Sequence, residues 1–86
     1  MKNCHSRSIN STIFNKKIGC FIRNKRKRMN ITGKDLGVML NISQQHVSRY
    51  ENGMTKITVT MLNDILNILD VSWEEFILLN ELHDDN

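Results

Sequence analysis

The sequence contains no proline, and it has few cysteine, glycine and aromatic residues. The absence of proline excludes a proline-rich linker or tail and favours helices joined by short turns. The two cysteines, Cys4 and Cys20, form no C-x-x-C motif and lie near no paired histidines, so the sequence predicts neither a zinc site nor a disulfide framework. Thiols that stay reduced are typical of the cytoplasm, which is the predicted location.

No apolar run reaches the length of a signal-peptide core or a membrane span, so we expect no membrane partner. The sequence also offers no paired carboxylates that would line a cleft, no phosphate-binding glycine loop and no cluster of metal ligands. We therefore expect no enzyme activity, no catalytic residue, no cofactor and no bound metal. The 86 residues are enough for one domain and not two, and nothing in them indicates a small-molecule effector.

The charges are divided between the two ends of the chain. All nine acidic residues lie at or after Asp35, and ten of the twelve basic residues lie at or before Lys34. This division gives one end of the folded domain a positive field, which suits a polyanion such as DNA. The alternative is a charged face that is only solvated.

The segment from Thr32 to Gly53 predicts two short helices joined by a tight turn. Thr32 and Ser43 stand directly before helix-like patterns, where a hydroxyl caps the helix start. Asn41 suits the left-handed conformation that ends a helix, and Gly53 has the same freedom after the second helix. Helical spacing predicts a buried side that comprises Leu36, Met39, Leu40, Ile42, Val47 and Tyr50.

The second helix of this pair is predicted to expose a polar face. Gln44, Gln45, Ser48 and Arg49 recur at spacings that bring them to one side of the helix. Glutamine reads adenine with paired hydrogen bonds and arginine reads guanine N7 and O6, so these four residues are the candidate base readers. An ordinary solvated helix face is the alternative, and the face alone does not separate the two.

The segment T-G-K-D-L-G-V-M-L-N-I-S-Q-Q-H-V-S-R-Y-E-N-G resembles the helix-turn-helix of the lambdoid phage repressor and Cro superfamily, the XRE/Cro/C1-type regulators. The S-Q-Q start and the E-N-G end carry the resemblance, which extends from about Ile18 to Phe76. It implies an all-α fold, a compact five-helix bundle whose second and third helices form the DNA-binding motif. We expect this domain to span residues 12–82, between a flexible arm at 1–11 and an acidic tail at 83–86.

The resemblance also implies the function, a sequence-specific transcriptional regulator that binds double-stranded DNA. A homodimer would bind a near-palindromic operator. The S-Q-Q-x-V-S-R-Y-E segment, with I-G-x-F-I-R before it, is similar to small regulators encoded with enterobacterial fimbrial operons, which implies control of adhesion or motility genes. The second hypothesis is an antitoxin-like module of the same fold that masks a partner enzyme.

The first helix is expected to begin between Ser11 and Asn15 and to end near Met29. Its predicted buried side comprises Ile18, Phe21, Ile22 and Met29, with Cys20 as a small packing residue. In the family that the sequence resembles, the arginine matching Arg26 often pairs with the glutamate matching Glu51, which implies a partly buried salt bridge. Gly33 replaces a family glutamine that touches phosphate and braces the recognition helix, and Gly37 replaces a family alanine.

Contacts to DNA phosphates are expected from the basic run of the first helix, from the start of the second helix and, by resemblance, from the loop after the third. His46 is either a plain surface residue or a further phosphate contact. The predicted phosphate-binding residues are Arg23, Lys27, Thr32, Lys34, His46, Asn52, Gly53, Thr55 and Lys56.

The last two helices are expected to supply core and interface. Thr58 is a predicted cap of a fourth, apolar helix that begins with Val59, and Ser72 with Glu75 predicts a capping box for the fifth. The fifth helix is apolar nearly all round, which indicates either a homodimer or the completion of a monomer core. The predicted dimer residues are Trp73, Leu78, Leu79 and Leu82.

Overall fold

The computed structural model describes residues 7–80, with side chains described from residue 13 onward. Five helices follow one another in this part of the chain: α1 (Arg7–Arg28), α2 (Gly33–Leu40), α3 (Gln44–Glu51), α4 (Val59–Ile68) and α5 (Trp73–Asn80). The all-α fold class predicted from the sequence is confirmed. Leu82, the acidic tail at 83–86 and residues 1–6 of the predicted arm lie outside the described residues.

Residues in the left-handed conformation stand at the turns between the helices, and three of the four in the described part of the chain are asparagine or aspartate. Asn30, Asn41 and Asp70 adopt φ values of 59°, 61° and 58°, and Gly53 adopts 71°. Asn and Asp tolerate this left-handed conformation better than other residues that carry a side chain. Each of these residues comes within two positions of the end of a helix. After the turn at Asn41, α3 packs back against α2, and after the turn at Asp70, α5 packs back against α4.

The core lies where all five helices meet. Its most deeply buried side chains are Ile22 of α1, Leu36 of α2, Val47 of α3, Leu66 of α4 and Phe76 of α5. The ring of Phe21 meets Phe76 edge-on, with ring centroids 5.2 Å apart, so α1 and α5 are joined by an aromatic contact as well as by burial. This core fixes α2 and α3 against α1.

Helix α1 begins earlier than the sequence pattern predicts. It starts at Arg7 instead of between Ser11 and Asn15. No glycine or proline interrupts residues 7–18. Extending an existing helix adds one hydrogen bond for each residue fixed, so a helix can continue beyond the residues whose spacing predicts it. The flexibility predicted for the arm at 1–11, which overlaps the start of α1, stays a prediction.

Four residues predicted to pack are exposed instead. Met29 is 42% exposed because α1 ends at Arg28, and Ile31 packs against the core after the turn at Asn30. Cys20 lies on the outer side of α1, since Ile18 and Ile22 face the core. The other two are Met39 of α2 and Val59, the first residue of α4.

Candidate nucleic-acid interface

Two side-chain caps and one residue in the left-handed conformation set the ends of α2 and the start of α3. The Thr32 hydroxyl accepts a hydrogen bond from the Asp35 backbone N–H at 2.9 Å, and the Ser43 hydroxyl accepts one from His46 N–H at 3.0 Å. Asn41 ends α2 in the left-handed conformation. Caps of this kind each contribute about 0.5–2 kcal/mol, so these local residues define where both helices begin.

Helix α3 separates its buried and exposed residues as the sequence predicts. Val47 and Tyr50 are 2% and 7% exposed and fix the helix to the core. On the other side, four side chains are exposed to solvent along the length of the helix. These residues, Gln44, Gln45, Ser48 and Arg49, are called the reading face below. Two amides, a hydroxyl and a guanidinium therefore project from one short helix whose opposite side is packed.

Arg26 and Glu51 form a bidentate ion pair between α1 and α3. Arg26 Nε and Nη2 donate to the two carboxylate oxygens of Glu51 at 2.7 and 2.9 Å, and Arg26 Nη1 donates to the Ile31 carbonyl at 2.9 Å. The two side chains are only 11% and 6% exposed. Hydrogen bonding to Glu51 raises the pKa of Arg26 above its ordinary value, against the lowering effect of burial. The pair that the resemblance implied is thus present, and it also holds the turn after α1.

Two glycines let α1 approach the C-terminal end of α3 at backbone distance. A Cβ atom at Gly19 would clash with the Tyr50 carbonyl oxygen and lie 2.5 Å from that of Glu51. A Cβ atom at Gly53 would lie 2.6 Å from Lys16 Cγ, and the φ of 71° at Gly53 also favours glycine. Gly19 has no role among the sequence-based predictions, although a glycine inside a helix is itself a signal of close packing.

A polar pocket of about 230 Å³ opens between α1, the start of α2 and α3. Gly33 contributes to its wall without a side chain. The polar residues that line it are Arg23, Gln44, Ser48, Asn52 and the Arg26–Glu51 pair. The Asn52 amide donates to the Ser48 hydroxyl at 3.3 Å. Predicted base-reading and phosphate-binding residues are therefore brought together at one site. This site could not be predicted from the sequence, because a space between helices leaves no sequence pattern.

The other predicted phosphate-binding residues differ in exposure. Gly53 and Thr55 are half-buried. The ring of half-buried His46 stacks on Tyr50, with centroids 4.8 Å apart and planes 34° from parallel, so one ring face is occupied. Those exposed outside the pocket are Lys27, Thr32, Lys34 and Lys56.

Helix α5 presents apolar side chains on the surface of the described chain. Leu78 and Leu79 are 63% and 59% exposed, while Phe76 is buried. Trp73 is partly held in place: its indole N–H donates to Asn63 Oδ1 at 3.0 Å, and its ring meets Phe76 edge-on. An apolar groove of about 540 Å³ lies beside Trp73, between α1, α4 and α5.

At the start of α5, half of the predicted capping box is present. The Glu75 backbone N–H donates to the Ser72 hydroxyl at 3.0 Å. The Glu75 carboxylate lies 3.8 Å from Lys25 Nζ of α1. The cap thus fixes the start of α5, and the carboxylate of the predicted box faces α1.

The described residues contain no group of three or more histidine, cysteine, aspartate and glutamate side chains that could hold a metal ion. In residues 7–80, none of the helices combines the length and apolarity needed to cross a membrane.

A family model described as helix-turn-helix matches residues 22–76 of the chain. The matched range begins within α1, includes α2, α3 and α4, and ends within α5. It covers more than half of the 86 residues and contains the reading face, the Arg26–Glu51 pair and the pocket beside Gly33. No curated protein matches the sequence.

Proposed function

Because the chain belongs to the helix-turn-helix family of the XRE/Cro/C1 type, a family of DNA-binding regulators, we propose that it is a sequence-specific transcriptional regulator that binds a near-palindromic operator as a homodimer. The observation that carries this proposal is the reading face of α3. Its four side chains are exposed while the opposite side of the helix is packed in the core. The major groove of B-form DNA is about 12 Å wide, which admits one α-helix.

The charges around the reading face support DNA as the partner. Lys27, Lys34 and Lys56 are exposed and lie on α1, on α2 and after α3 respectively. Cations that flank a recognition helix bind backbone phosphates and set the register of the protein on the duplex, whereas base edges supply the sequence information. We propose that the predicted phosphate-binding residues act in this way.

The proposal is tested by selecting bound duplexes from a random pool with the purified protein. We expect enrichment of one half-site sequence in two inverted copies, with centres about 34 Å apart along the helix axis, because a dimer inserts two recognition helices into successive major grooves. Recovery of duplexes without any common sequence would contradict sequence-specific regulation.

Arg49 and Lys56 are expected to differ in the kind of binding they support. Arg49→Ala should weaken operator binding by roughly 1–3 kcal/mol and relax the preference at one base pair, because it removes a base contact. Lys56→Ala should weaken binding to all sequences alike and lower the salt slope by about 1, because it removes a phosphate contact. Titrations of operator and random duplex at several salt concentrations measure both. Equal losses on both duplexes for both variants would contradict this division.

The exposed apolar side chains of α5 support the proposed homodimer. Leu78→Glu is expected to convert a dimer to a monomer, since a charge in an apolar interface is desolvated without a partner. Val38→Glu is the matched control, because Val38 is a similarly exposed aliphatic residue on α2. Analytical ultracentrifugation gives the mass of each variant. A wild-type monomer, or a Leu78→Glu dimer of undiminished stability, would contradict the interface.

The same apolar face of α5 favours one second candidate, the antitoxin-like module that covers a partner enzyme. The size measurement separates the two functions. A stable dimer of the isolated chain supports the regulator, whereas a monomer or an aggregating chain supports a missing protein partner.

Two finer proposals rest on the sequence. We propose that the protein works in the cytoplasm, bound to the nucleoid. The segments similar to regulators of fimbrial operons further suggest promoters of adhesion or motility genes as targets. The second proposal is tested by searching such promoters for the selected half-site sequence and by measuring binding of the protein to them. The absence of the half-site from these promoters would contradict it.

A further inference from the structure

The reading face of α3 borders two different environments. Gln44 and Ser48 line the polar pocket, and so does Asn52, one turn further on. Gln45 and Arg49 are exposed and lie outside the pocket. Residues four apart lie above one another on a helix, so the face consists of a pocket-side row and an outer row.

Gly33 leaves the α2 side of the pocket without a side chain. A Cβ atom built on Gly33 would lie 3.8 Å from Gln44 Cγ and 3.9 Å from Gln44 Nε2. The Gln44 amide therefore leans over the first residue of α2, across the space that a larger residue at position 33 would enter. Arg23 of α1 lines the same pocket.

The pocket has the charge and the size for a phosphate group. Arg26 and Glu51 line the pocket but neutralise each other through their bidentate contact. The net charge of the pocket is therefore the positive charge of Arg23. A cavity of about 150 Å³ already holds benzene, so the roughly 230 Å³ here is sufficient for a tetrahedral phosphate. Arginine and amide N–H groups donate strong hydrogen bonds to an anionic oxygen.

We infer that this pocket binds one phosphate of the DNA backbone, held by Arg23 and the Gln44 amide, and that base reading falls to the outer row, Gln45 and Arg49. The inference rests on the proposed function and refines it. Gln44, a base reader by sequence pattern, becomes a residue that fixes the depth and register of α3 in the groove. Gly33 is the residue that makes this possible.

Titrations on the selected operator and on single-base variants of it test the inference. Gln44→Ala is expected to reduce affinity about tenfold on all of these duplexes, with unchanged base preferences, because a hydrogen bond to a charged group is lost. Gln45→Ala is expected to change the preference at one base pair. A changed preference for Gln44→Ala at one base pair would overturn the inference while leaving the regulator intact.

Filling the pocket is the second arm of the test. Gly33→Leu should reduce affinity on all duplexes as Gln44→Ala does, and Val38→Leu, an exposed substitution on the same helix, is the matched control that should bind as the wild type does. Circular dichroism checks that both variants fold. Undiminished binding by Gly33→Leu would overturn the inference.

Duplexes with a single neutral methylphosphonate identify the phosphate. At one backbone position the substitution should weaken wild-type binding clearly, and it should weaken Gln44→Ala binding less, since the contact is already lost. Equal losses for both proteins at every position would overturn the inference. If the wild type selects no common sequence at all, the proposed function fails, and the inference fails with it.

Discussion

Replacing Arg26 with alanine is expected to lower the free energy of unfolding by about 3–5 kcal/mol. The substitution leaves the Glu51 carboxylate, 6% exposed, without the guanidinium that donates to both of its oxygens. It also leaves the Ile31 carbonyl without its bond from Arg26. A buried charge without a partner costs more than the intact pair contributes, so the loss exceeds that of a surface ion pair. Thermal and urea unfolding measure the change.

Three further variants separate the pair from the individual charges. Glu51→Ala should destabilise by a similar amount, and the double variant by less than the sum, because the second substitution removes the stranded charge. Arg26→Lys should recover only part of the stability, since lysine lacks the planar fork. Arg23→Ala, an exposed arginine on the same helix, is the control and should change stability by less than about 0.5 kcal/mol. An Arg26→Ala melting temperature equal to that of the wild type would contradict a structural role.

The direction of the Arg26 pKa shift determines how the contribution of the Arg26–Glu51 pair to stability depends on pH. Glu51 raises the pKa of Arg26, so the folded state holds the proton more tightly than the unfolded state does. The stabilisation from this shift is fully present below the ordinary pKa of arginine and is lost only as pH rises through the raised value. The protonation of Arg26 therefore adds no pH dependence to stability in the neutral range.

Gly19→Ala is expected to destabilise the fold by about 3 kcal/mol, at the upper end of the usual cost of overpacking. The added methyl group would meet the carbonyl oxygens of Tyr50 and Glu51, which are backbone atoms held by α3 and cannot turn aside. The gain from removing a glycine inside a helix, up to about 1 kcal/mol, offsets only part of this. Because α1 and α3 must separate, the loss of stability should be accompanied by weaker DNA binding.

The other helical glycines provide matched controls for this substitution. A Cβ atom at Gly37 would lie 2.8 Å from the Ile42 carbonyl oxygen, and one at Gly33 would make ordinary contacts at 3.8 Å. Alanine should therefore be tolerated best at Gly33, less well at Gly37 and worst at Gly19, as measured by urea unfolding. A Gly19→Ala variant as stable as Gly33→Ala would show that α1 and α3 separate more easily than their contact implies.

The sequence was sufficient to predict features that are determined locally. Thr32, Ser43 and Thr58 directly precede helices, where a hydroxyl can accept a hydrogen bond from a free backbone N–H group of the first turn. Each of them accepts such a bond from the residue three positions later. Asn41 and Gly53 turn the chain because few other residues adopt positive φ readily. The inward side of α3 followed from spacing, since Val47 and Tyr50 lie three residues apart.

Features that depend on how helices meet were not predictable in the same way. Apolar residues occur on several sides of α1, so spacing alone could not separate buried Ile22 from exposed Met29. The sequence left open whether the leucines of α5 form an interface or complete the core, and in the structure Leu78 and Leu79 are exposed while Phe76 is buried. The pocket beside Gly33 is a space between three helices, and only the structure shows that Arg23 and Gln44 line the same pocket.

Entry of the α3 reading face into the major groove is tested most directly by methylation interference on a selected operator. Guanine N7 lies in the major groove and adenine N3 in the minor groove, so dimethyl sulfate reports on both. We predict that N7 methylation of guanines in each half-site blocks wild-type binding, and that Arg49→Ala loses this sensitivity at one guanine. Interference from adenine N3 alone, or an identical N7 pattern for Arg49→Ala, would contradict base reading by this face.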